Sequence, residues 1–301
     1  MFLAGATGFS LVVTVLTIVI VTSVKLVYRL VSFSIMVPLV WFHGGEFLDF
    51  TCSQIFNAPN IYMIIYWILM LVMLLPIPFL FRPRKAGSET RIVLWRKFFH
   101  LIVLVLFVPS IVQTDGEFDE LVALAGVLVL CLFVLMEFVR VSGKPSINLS
   151  LFLDRLIRPL LDHKDKTSSV VTSHMELLLA VVLPVWLAQG VGGEIGGRDY
   201  IISGLVTVGV GDSAAAIGGL YLTKSPHKIP WKRRSKKSLE GVLGFLIATN
   251  MALVSCGAWN TASCFASIVA GITEATMTRY DNAFLPIVYS FSRIVFEQIS
   301  I

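Results

Sequence analysis

The chain has 301 residues, of which 56% are hydrophobic and only 14% charged, and its mean hydropathy is +0.84. Soluble globular domains carry roughly 25% charged residues, so this composition excludes an ordinary soluble enzyme and predicts an integral membrane protein. The formal net charge of +5 suits anionic lipid headgroups as well as a nucleotide, so charge alone selects neither partner.

Apolar runs that could cross about 30 Å of hydrocarbon recur along the whole chain. They lie at about 8–24, 61–81, 98–113, 119–139, 171–189, 200–222, 242–257, 259–273 and 283–299. A further apolar stretch at 30–42 is too short to assign, so we predict eight to ten transmembrane helices. Because lipid leaves backbone groups without water and these runs show no alternation of period two, the predicted fold class is an all-α, polytopic helical bundle.

The first 24 residues contain no cation, since the first one is Lys25, so they are predicted to be a membrane anchor and not a cleaved signal peptide. We interpret residues 1–60 as an N-terminal anchor region. Residues 61–301 are predicted to form a single polytopic core that carries the function.

Basic residues are distributed unevenly along the chain. Of the 24 Lys and Arg residues, 19 fall in three loops, with six in 82–97, six in 140–169 and seven in 223–240. The intervening loops at 113–120, 189–199 and 256–263 together hold one cation, Arg198. If each span from residue 98 onward crosses once, the basic loops share one side, which the positive-inside rule predicts to be cytoplasmic.

Asp212 is the most informative ionisable residue, because it lies within an apolar span among small side chains. On an α-helix Gly204, Val208, Asp212, Ala215 and Gly219 would share a face. Carboxylates within spans are costly and usually face a partner or a polar cavity, which favours a functional role. The alternative interpretation is a helix-packing strip in which Asp212 pairs with a distant cation.

The loop that follows Asp212 carries seven cations and ends in SKKSLEG, at 235–241. Such a loop could serve only as a topology determinant beside anionic lipid. However, Lys236 and Lys237 lie where the next span begins, and a helix start adds free N–H groups that attract phosphate. Glu240 could hold a divalent cation with its carboxylate oxygens.

Three other span ends carry ionisable residues on the same predicted side. Glu274, Thr278 and Asp281 have a spacing that would place them on one helix face, and Arg96, Lys97 and His100 cluster in the sequence WRKFFH. Solvated helix ends and interfacial anchoring explain both groups almost as well. Glu137 and Arg140 are interpreted as a structural ion pair.

The run GVGDSAAAIGG followed by KKSLEG resembles the nucleotide-binding signature of the polyprenol kinase family, whose members phosphorylate lipid alcohols with CTP. The resemblance extends over about 90–290 and includes WRKFFHLIVLVLFVP, MEFVR and EATMTRYDNAFLP. The segment from Leu151 to Leu187 is most similar to the members that act on dolichol. This chain departs from the family pattern at Thr223, where the family has glycine, and in a longer stretch up to Ser235.

The resemblance implies CTP as the phosphoryl donor, Mg²⁺ or another divalent cation as the cofactor, dolichol as the acceptor and the endoplasmic reticulum membrane as the location. Asp212, Glu240 and His100 are the implied catalytic residues, and Arg96 and Lys97 would contact phosphate or alcohol. The implied cytoplasmic CTP-binding loop is 211–241, and the implied CTP-binding residues are Asp212, Ala215, Gly219, Lys236, Lys237, Glu240 and Gly241. The implied metal ligands are Asp212, Glu240, Glu274 and Asp281.

Two alternatives remain open from the sequence. One is a kinase of the same family that acts on another lipid alcohol, such as a polyprenol, phytol or diacylglycerol. The other is an ion-coupled transporter in which Asp212 binds the coupling ion.

Overall fold

The fold was analysed in a computed structural model of the chain. The structure describes residues 49–80, 89–112, 116–142, 151–155, 170–190, 197–222, 227, 237–277 and 280–300. These residues are helical apart from turns and short connections, and they contain no β-strand. The predicted all-α fold class is therefore confirmed. The predicted spans at 8–24 and 30–42 lie outside the described residues.

The first half of the described chain contains three long helices and several short ones. In chain order they are α1 (Asp49–Ile55), α2 (Ala58–Leu74), α3 (Ile77–Leu80), α4 (Glu89–Val112), α5 (Asp119–Ser142) and α6 (151–155). Helices α1 and α2 meet at a bend of 77°. The ends of α5 lie within three residues of the predicted span at 119–139. The predicted span at 61–81 is instead divided between α2, which ends at Leu74, and the short helix α3, and α4 begins nine residues before the predicted span at 98–113.

The second half contains the helices that build the candidate site. They are α7 (Ser173–Gly190), α8 (Gly197–Ile201), a π-helical segment (Leu205–Asp212), α9 (Ser213–Tyr221), α10 (Leu239–Ser255), α11 (Thr261–Thr276) and α12 (Asp281–Ile299). The sequence interval 273–282, predicted to place Glu274 and Asp281 on one helix face, instead spans the end of α11 and the start of α12.

Three helices of the described chain are long and apolar enough to cross a membrane, namely those at Val93–Val112, Asp119–Val141 and Arg198–Tyr221. The count becomes four if the bent pair α1 and α2 is one span, and α7 and α10 are shorter apolar helices. These lengths agree with a polytopic membrane bundle. The predicted total of eight to ten spans, and the division at residue 60, remain predictions.

The Arg198–Tyr221 span lies at the centre of the bundle, with 72% of its apolar window buried, against 28% for Val93–Val112 and 33% for Asp119–Val141. Helix α7 is also central, because its Val182 and Val185 have no exposed surface. By contrast α10 exposes Leu243 and Ile247 on one outer face. An apolar outer face is what a helix needs in order to contact lipid.

Consecutive long helices of the chain run in opposite directions, which gives the bundle two ends. Trp186, late in α7, donates to the Ala123 carbonyl at the start of α5, while Val171, just before α7, donates to Glu137 near the end of α5. In the Arg198–Tyr221 span, Asp199 contacts Arg293 near the end of α12. Asp212 lies toward the opposite end, which we call the site end.

Candidate functional site

Asp212 is the last residue of the π-helical segment, and only 7% of its surface is exposed. Its Oδ2 forms an ion pair with the ammonium of Lys97 on α4 and lies 3.0 Å from Nε2 of His100, one turn further along that helix. Residues three apart share a helix face, which is why Lys97 and His100 reach the same carboxylate. Both contacts are to Oδ2, which leaves Oδ1 for a substrate hydroxyl or a cation.

The ring of His100 is oriented by its own helix. Nδ1 lies 3.0 Å from the carbonyl oxygen of Arg96, which can only accept, so Nδ1 carries the hydrogen. Nε2 therefore presents a lone pair in the neutral imidazole and a second N–H in the imidazolium. His100 can thus exchange a proton at Nε2, directly beside Asp212.

The carboxylate is recessed from the site end of its helix. Asp212 precedes Tyr221, the last residue of α9, by nine residues, which corresponds to about 13 Å along a helix. A charged group at that depth needs partners in place of water, and Lys97 provides the opposite charge.

Lys237 forms a second centre immediately before α10. Its ammonium contacts the carboxylate and the main-chain carbonyl of Glu274, near the end of α11, and lies 3.2 Å from Oδ2 of Asp281, the first residue of α12. A cation at the end of α11 also complements the negative end of that helix dipole. One side chain therefore joins the ends of three helices.

Burial lowers the pKa of Lys237, but the carboxylates of Glu274 and Asp281 raise it by more, so its pKa lies above the usual value for lysine. Asp212 contributes to the same rise, which shows that the two centres are within electrostatic reach of each other. Lys237 therefore keeps its charge throughout the neutral pH range.

The carboxylates of the site are few for a divalent cation. No group of three or more His, Cys, Asp or Glu side chains suited to a metal ion occurs among the described residues. Glu274 and Asp281 do converge on one point, the ammonium of Lys237. Mg²⁺ in nucleotide-dependent enzymes is commonly held by one or two carboxylates plus substrate phosphates. This pair supplies two carboxylates, but the point where they converge is occupied by the Lys237 ammonium.

Glu240 contacts a different partner, His227, in the loop between α9 and α10. The backbone N–H of His227 lies 3.0 Å from both carboxylate oxygens, and its Nδ1 lies 2.6 Å from Oε1. The main-chain carbonyl of His227 also accepts from the Leu239 N–H at 2.9 Å. The structure therefore does not bring Glu240 together with Glu274 and Asp281 on Lys237.

The helices that carry the two signature motifs, GVGDSAAAIGG and KKSLEG, pack against each other. A Cβ on Gly218 would lie 2.8 Å from the carbonyl oxygen of Glu240, and one on Gly241 would lie 2.9 Å from that of Ala215. Gly244 approaches Ala214 in the same way. The small residues thus let α9 and α10 pack backbone to backbone, which sets the position of Lys237 relative to Asp212.

This close approach gives a direct test with neighbouring glycines. Gly218→Ala is expected to lower stability by about 1–3 kcal/mol because the new methyl group meets a backbone oxygen that has no room to move. Gly219→Ala is expected to cost clearly less, since its methyl group would lie 3.2 Å from the Ser238 hydroxyl, a tight contact that a small shift of the side chain relieves. The thermal unfolding midpoints of both variants in detergent measure the difference, and equal midpoints would contradict the packing account.

Comparison with known proteins places these residues in a wider context. No protein-family model and no solved structure matches the chain. It is 28% identical to the dolichol kinase EVAN of Arabidopsis thaliana over 261 residues, covering 78% of this chain and 41% of that protein. It is also 28% identical to human dolichol kinase over 270 residues, covering 83% and 46%. Identity to dolichol kinase sec59 of Schizosaccharomyces pombe is 30% over 201 residues, covering 64% and 37%.

The predicted resemblance to dolichol kinases is confirmed. The similarity extends over most of this chain, whereas the chain spans less than half the length of the dolichol kinases that it matches. A stretch that covers 83% of this chain, as in the match to human dolichol kinase, includes both signature motifs.

Several residues implied by the similarity to dolichol kinases meet at the site end. Lys97 and His100 contact Asp212, and Lys237 contacts Glu274 and Asp281. Ala215, Gly219 and Gly241 lie on the contact between α9 and α10. The Arg96 carbonyl orients His100, while Lys236 and Thr223 lie outside the described residues.

His227 is the functional candidate that the sequence analysis missed. Its one available signal is that it is the only histidine in the basic loop and lies 13 residues before Glu240, the only acid there. A contact across a loop of that length has no fixed spacing, so the sequence does not reveal it.

The predicted structural ion pair of Glu137 and Arg140 is confirmed. Arg140 donates to both carboxylate oxygens of Glu137, at 2.8 and 2.5 Å, and to Asp154 at 3.3 Å. Glu137 also accepts from the Val171 N–H at 2.6 Å, so it fixes the segment that leads into α7. This cluster holds three elements together.

Proposed function

We propose that this chain phosphorylates dolichol with CTP, as the dolichol kinases that it resembles would suggest. The observation that carries the proposal is a buried carboxylate, Asp212, recessed within a central span and flanked by Lys97 and His100. Lys237 lies within electrostatic reach at the same end of the bundle. In this arrangement the Asp212 carboxylate can receive a lipid hydroxyl from the bilayer, while Lys97 and Lys237 attract a polyphosphate from water.

In this proposal the dolichol oxygen attacks the γ-phosphorus of CTP, CDP leaves, and the hydroxyl proton passes to Asp212 or to His100. Phosphoryl transfer depends mainly on positioning and on stabilising charge, so a small set of side chains is sufficient. Lys97 and Lys237 supply positive charge for the phosphates, and Lys236 and Arg96 are further candidates for phosphate contact. Lys97 also holds the Asp212 carboxylate in place.

A divalent cation, proposed as Mg²⁺, would neutralise charge on the phosphates when bound. Glu274 and Asp281 are the residues of the site that would hold it, and Lys237, whose ammonium fills the position between them, would turn toward the phosphates when the cation binds. Asp212 is the third candidate ligand through Oδ1. Glu240, which contacts His227, is the least suited of the four implied ligands.

The location of the site is also part of the proposal. The three basic loops support a cytoplasmic orientation of the site end through the positive-inside rule. Together with the similarity to dolichol kinases, this suggests an enzyme of the endoplasmic reticulum membrane. Its product, dolichyl phosphate, would serve as the lipid carrier for protein glycosylation.

A panel of donors and acceptors tests the proposed activity. Purified chain in detergent is incubated with CTP or ATP and with dolichol, an unsaturated polyprenol, phytol or diacylglycerol, each with and without EDTA. We expect phosphate transfer to be fastest from CTP to dolichol and to stop when EDTA removes the divalent cation. Faster transfer to one of the other alcohols would assign the chain to a different lipid, and no transfer to any of them would reject kinase activity.

A further inference from the structure

Glu240 is held by an unusual set of contacts for a residue implied as a metal ligand. Only 8% of its surface is exposed, and both of its oxygens face the backbone N–H of His227 at 3.0 Å. The imidazole adds a third contact, from Nδ1 to Oε1 at 2.6 Å. A carboxylate whose two oxygens already face one N–H is poorly disposed to hold a cation as well.

A backbone hydrogen bond also links His227 to α10, and in this bond His227 is the acceptor. The N–H of Leu239, the first residue of α10, donates to the carbonyl of His227 at 2.9 Å. Ser238 caps the same helix by accepting from the Gly241 N–H at 3.2 Å. His227 and the first turn of α10 therefore exchange hydrogen bonds in both directions, in a unit that we call the His227–Glu240 clasp.

The clasp is adjacent to the lysine of the candidate site. Lys237 precedes Ser238 directly, and its ammonium reaches Glu274 and Asp281 on the far side of the helix start. The direction of the Lys237 side chain depends on the backbone of the first turn of α10, since only one residue separates it from the helix. Contacts that hold this first turn in place therefore also determine the direction of the Lys237 side chain.

We infer that His227 is a positioning residue of the candidate nucleotide site and that Glu240 acts through His227, not by touching nucleotide or metal. This inference rests on the proposed CTP-dependent function and assigns a different role to Glu240 within it. Because the His227 side chain is 76% exposed, solvent weakens the imidazole contact, and the backbone N–H contributes most of the hold.

A double-mutant cycle separates the two roles of Glu240. His227→Ala removes the imidazole, His227→Pro also removes the backbone N–H, and Glu240→Gln removes the charge. Loss of hydrogen bonds to a charged group corresponds to about a tenfold effect, so we expect His227→Pro and Glu240→Gln each to raise KM for CTP about 5- to 10-fold. His227→Ala should show a smaller rise, and kcat should change less than about twofold in all three.

The double variant carries the decisive result. If Glu240 acts only through His227, the His227→Pro/Glu240→Gln double variant has a KM for CTP within about twofold of the worse single variant. If Glu240 contacts nucleotide or metal itself, the two effects multiply and Glu240→Gln lowers kcat, which would overturn the inference. Glu117→Gln, an exposed acid at the opposite end of the bundle, is the matched control and should behave as wild type.

The same variants are also compared by thermal unfolding in detergent, which needs no activity. Unfolding shifts that do not add in the double variant support the clasp, and additive shifts overturn it. A folded wild-type chain that fails to transfer phosphate from CTP rejects the proposed function instead, and the unfolding cycle then still decides whether the contact exists. If His227→Pro does not fold, Glu240→Gln decides alone: a raised KM for CTP with kcat within about twofold supports the inference, and a lowered kcat overturns it.

Discussion

Asp212→Asn is expected to lower CTP-dependent phosphorylation of dolichol by at least about 100-fold while the protein remains folded. The amide has the same shape as the carboxylate and still offers an oxygen to Lys97, but it has no negative charge and cannot accept a proton. Both roles proposed for Asp212, as a cation ligand and as a proton acceptor, need the carboxylate. The initial rate of phosphate transfer at saturating CTP measures the effect.

Asp199→Asn is the matched control for this substitution. Asp199 lies in the same span, near its opposite end, and also pairs with a buried cation, Arg293, at 2.5 Å. The variant therefore repeats the loss of one ion-paired carboxylate without touching the candidate site. If Asp199→Asn lost as much activity as Asp212→Asn, the effect of the latter would have to be attributed to the fold.

Lys237→Ala is expected to reduce both stability and activity. Removing one partner of a buried ion pair costs about 3–5 kcal/mol, and because Lys237 is 22% exposed we expect about 2–3 kcal/mol here. The loss arises because Glu274, only 8% exposed, and Asp281 are left close together without their shared cation. Transfer of phosphate should fall by at least about tenfold, since the proposed phosphate ligand is absent. Thermal unfolding in detergent and the phosphate-transfer rate measure the two effects.

A compensating double variant distinguishes the structural role of Lys237 from its proposed chemical role. Lys237→Met/Glu274→Gln removes the cation together with the buried negative charge, so most of the lost stability should return. Activity should not return, because neither the phosphate ligand nor the carboxylate is restored. Recovery of activity along with stability would mean that Lys237 serves only to join α10, α11 and α12.

The sequence predicted the helices well because their apolar runs are long and are bounded by charged or turn residues. The ends of α5 and α7 fall within three residues of the predicted spans, and α10 starts three residues earlier, at Leu239, where Ser238 provides a cap. The position of a membrane-spanning helix depends mainly on the hydropathy of its own residues, so its ends can be predicted from the local sequence.

Faces and pairings were less predictable, since they depend on geometry that the sequence does not specify. Gly204 packs against Ala180 of α7, whereas Asp212 faces α4. The prediction that Gly204 and Asp212 share one helix face is therefore wrong. The π-helical segment between them explains this, because i→i+5 hydrogen bonds add about one residue to each turn. A π-helical stretch that ends at a buried acid is also consistent with the tendency of such segments to occur at functional sites.

The role of each charged residue was the least predictable property. Lys97 was predicted to contact phosphate or alcohol, and the structure places it on Asp212, 115 residues away in the sequence. Glu240 was predicted as a metal ligand, and the structure gives it His227 as a partner. Composition shows that buried charges need partners, but only the packing of helices determines which partner each one meets.

The most direct test of the account is the transfer of labelled γ-phosphate from CTP to dolichol by purified wild-type chain and by Asp212→Asn, assayed side by side. We expect saturable, divalent-cation-dependent formation of dolichyl phosphate by the wild type and at most about 1% of that rate in the variant. A folded wild-type chain that forms no dolichyl phosphate, or equal rates for the two proteins, would contradict it.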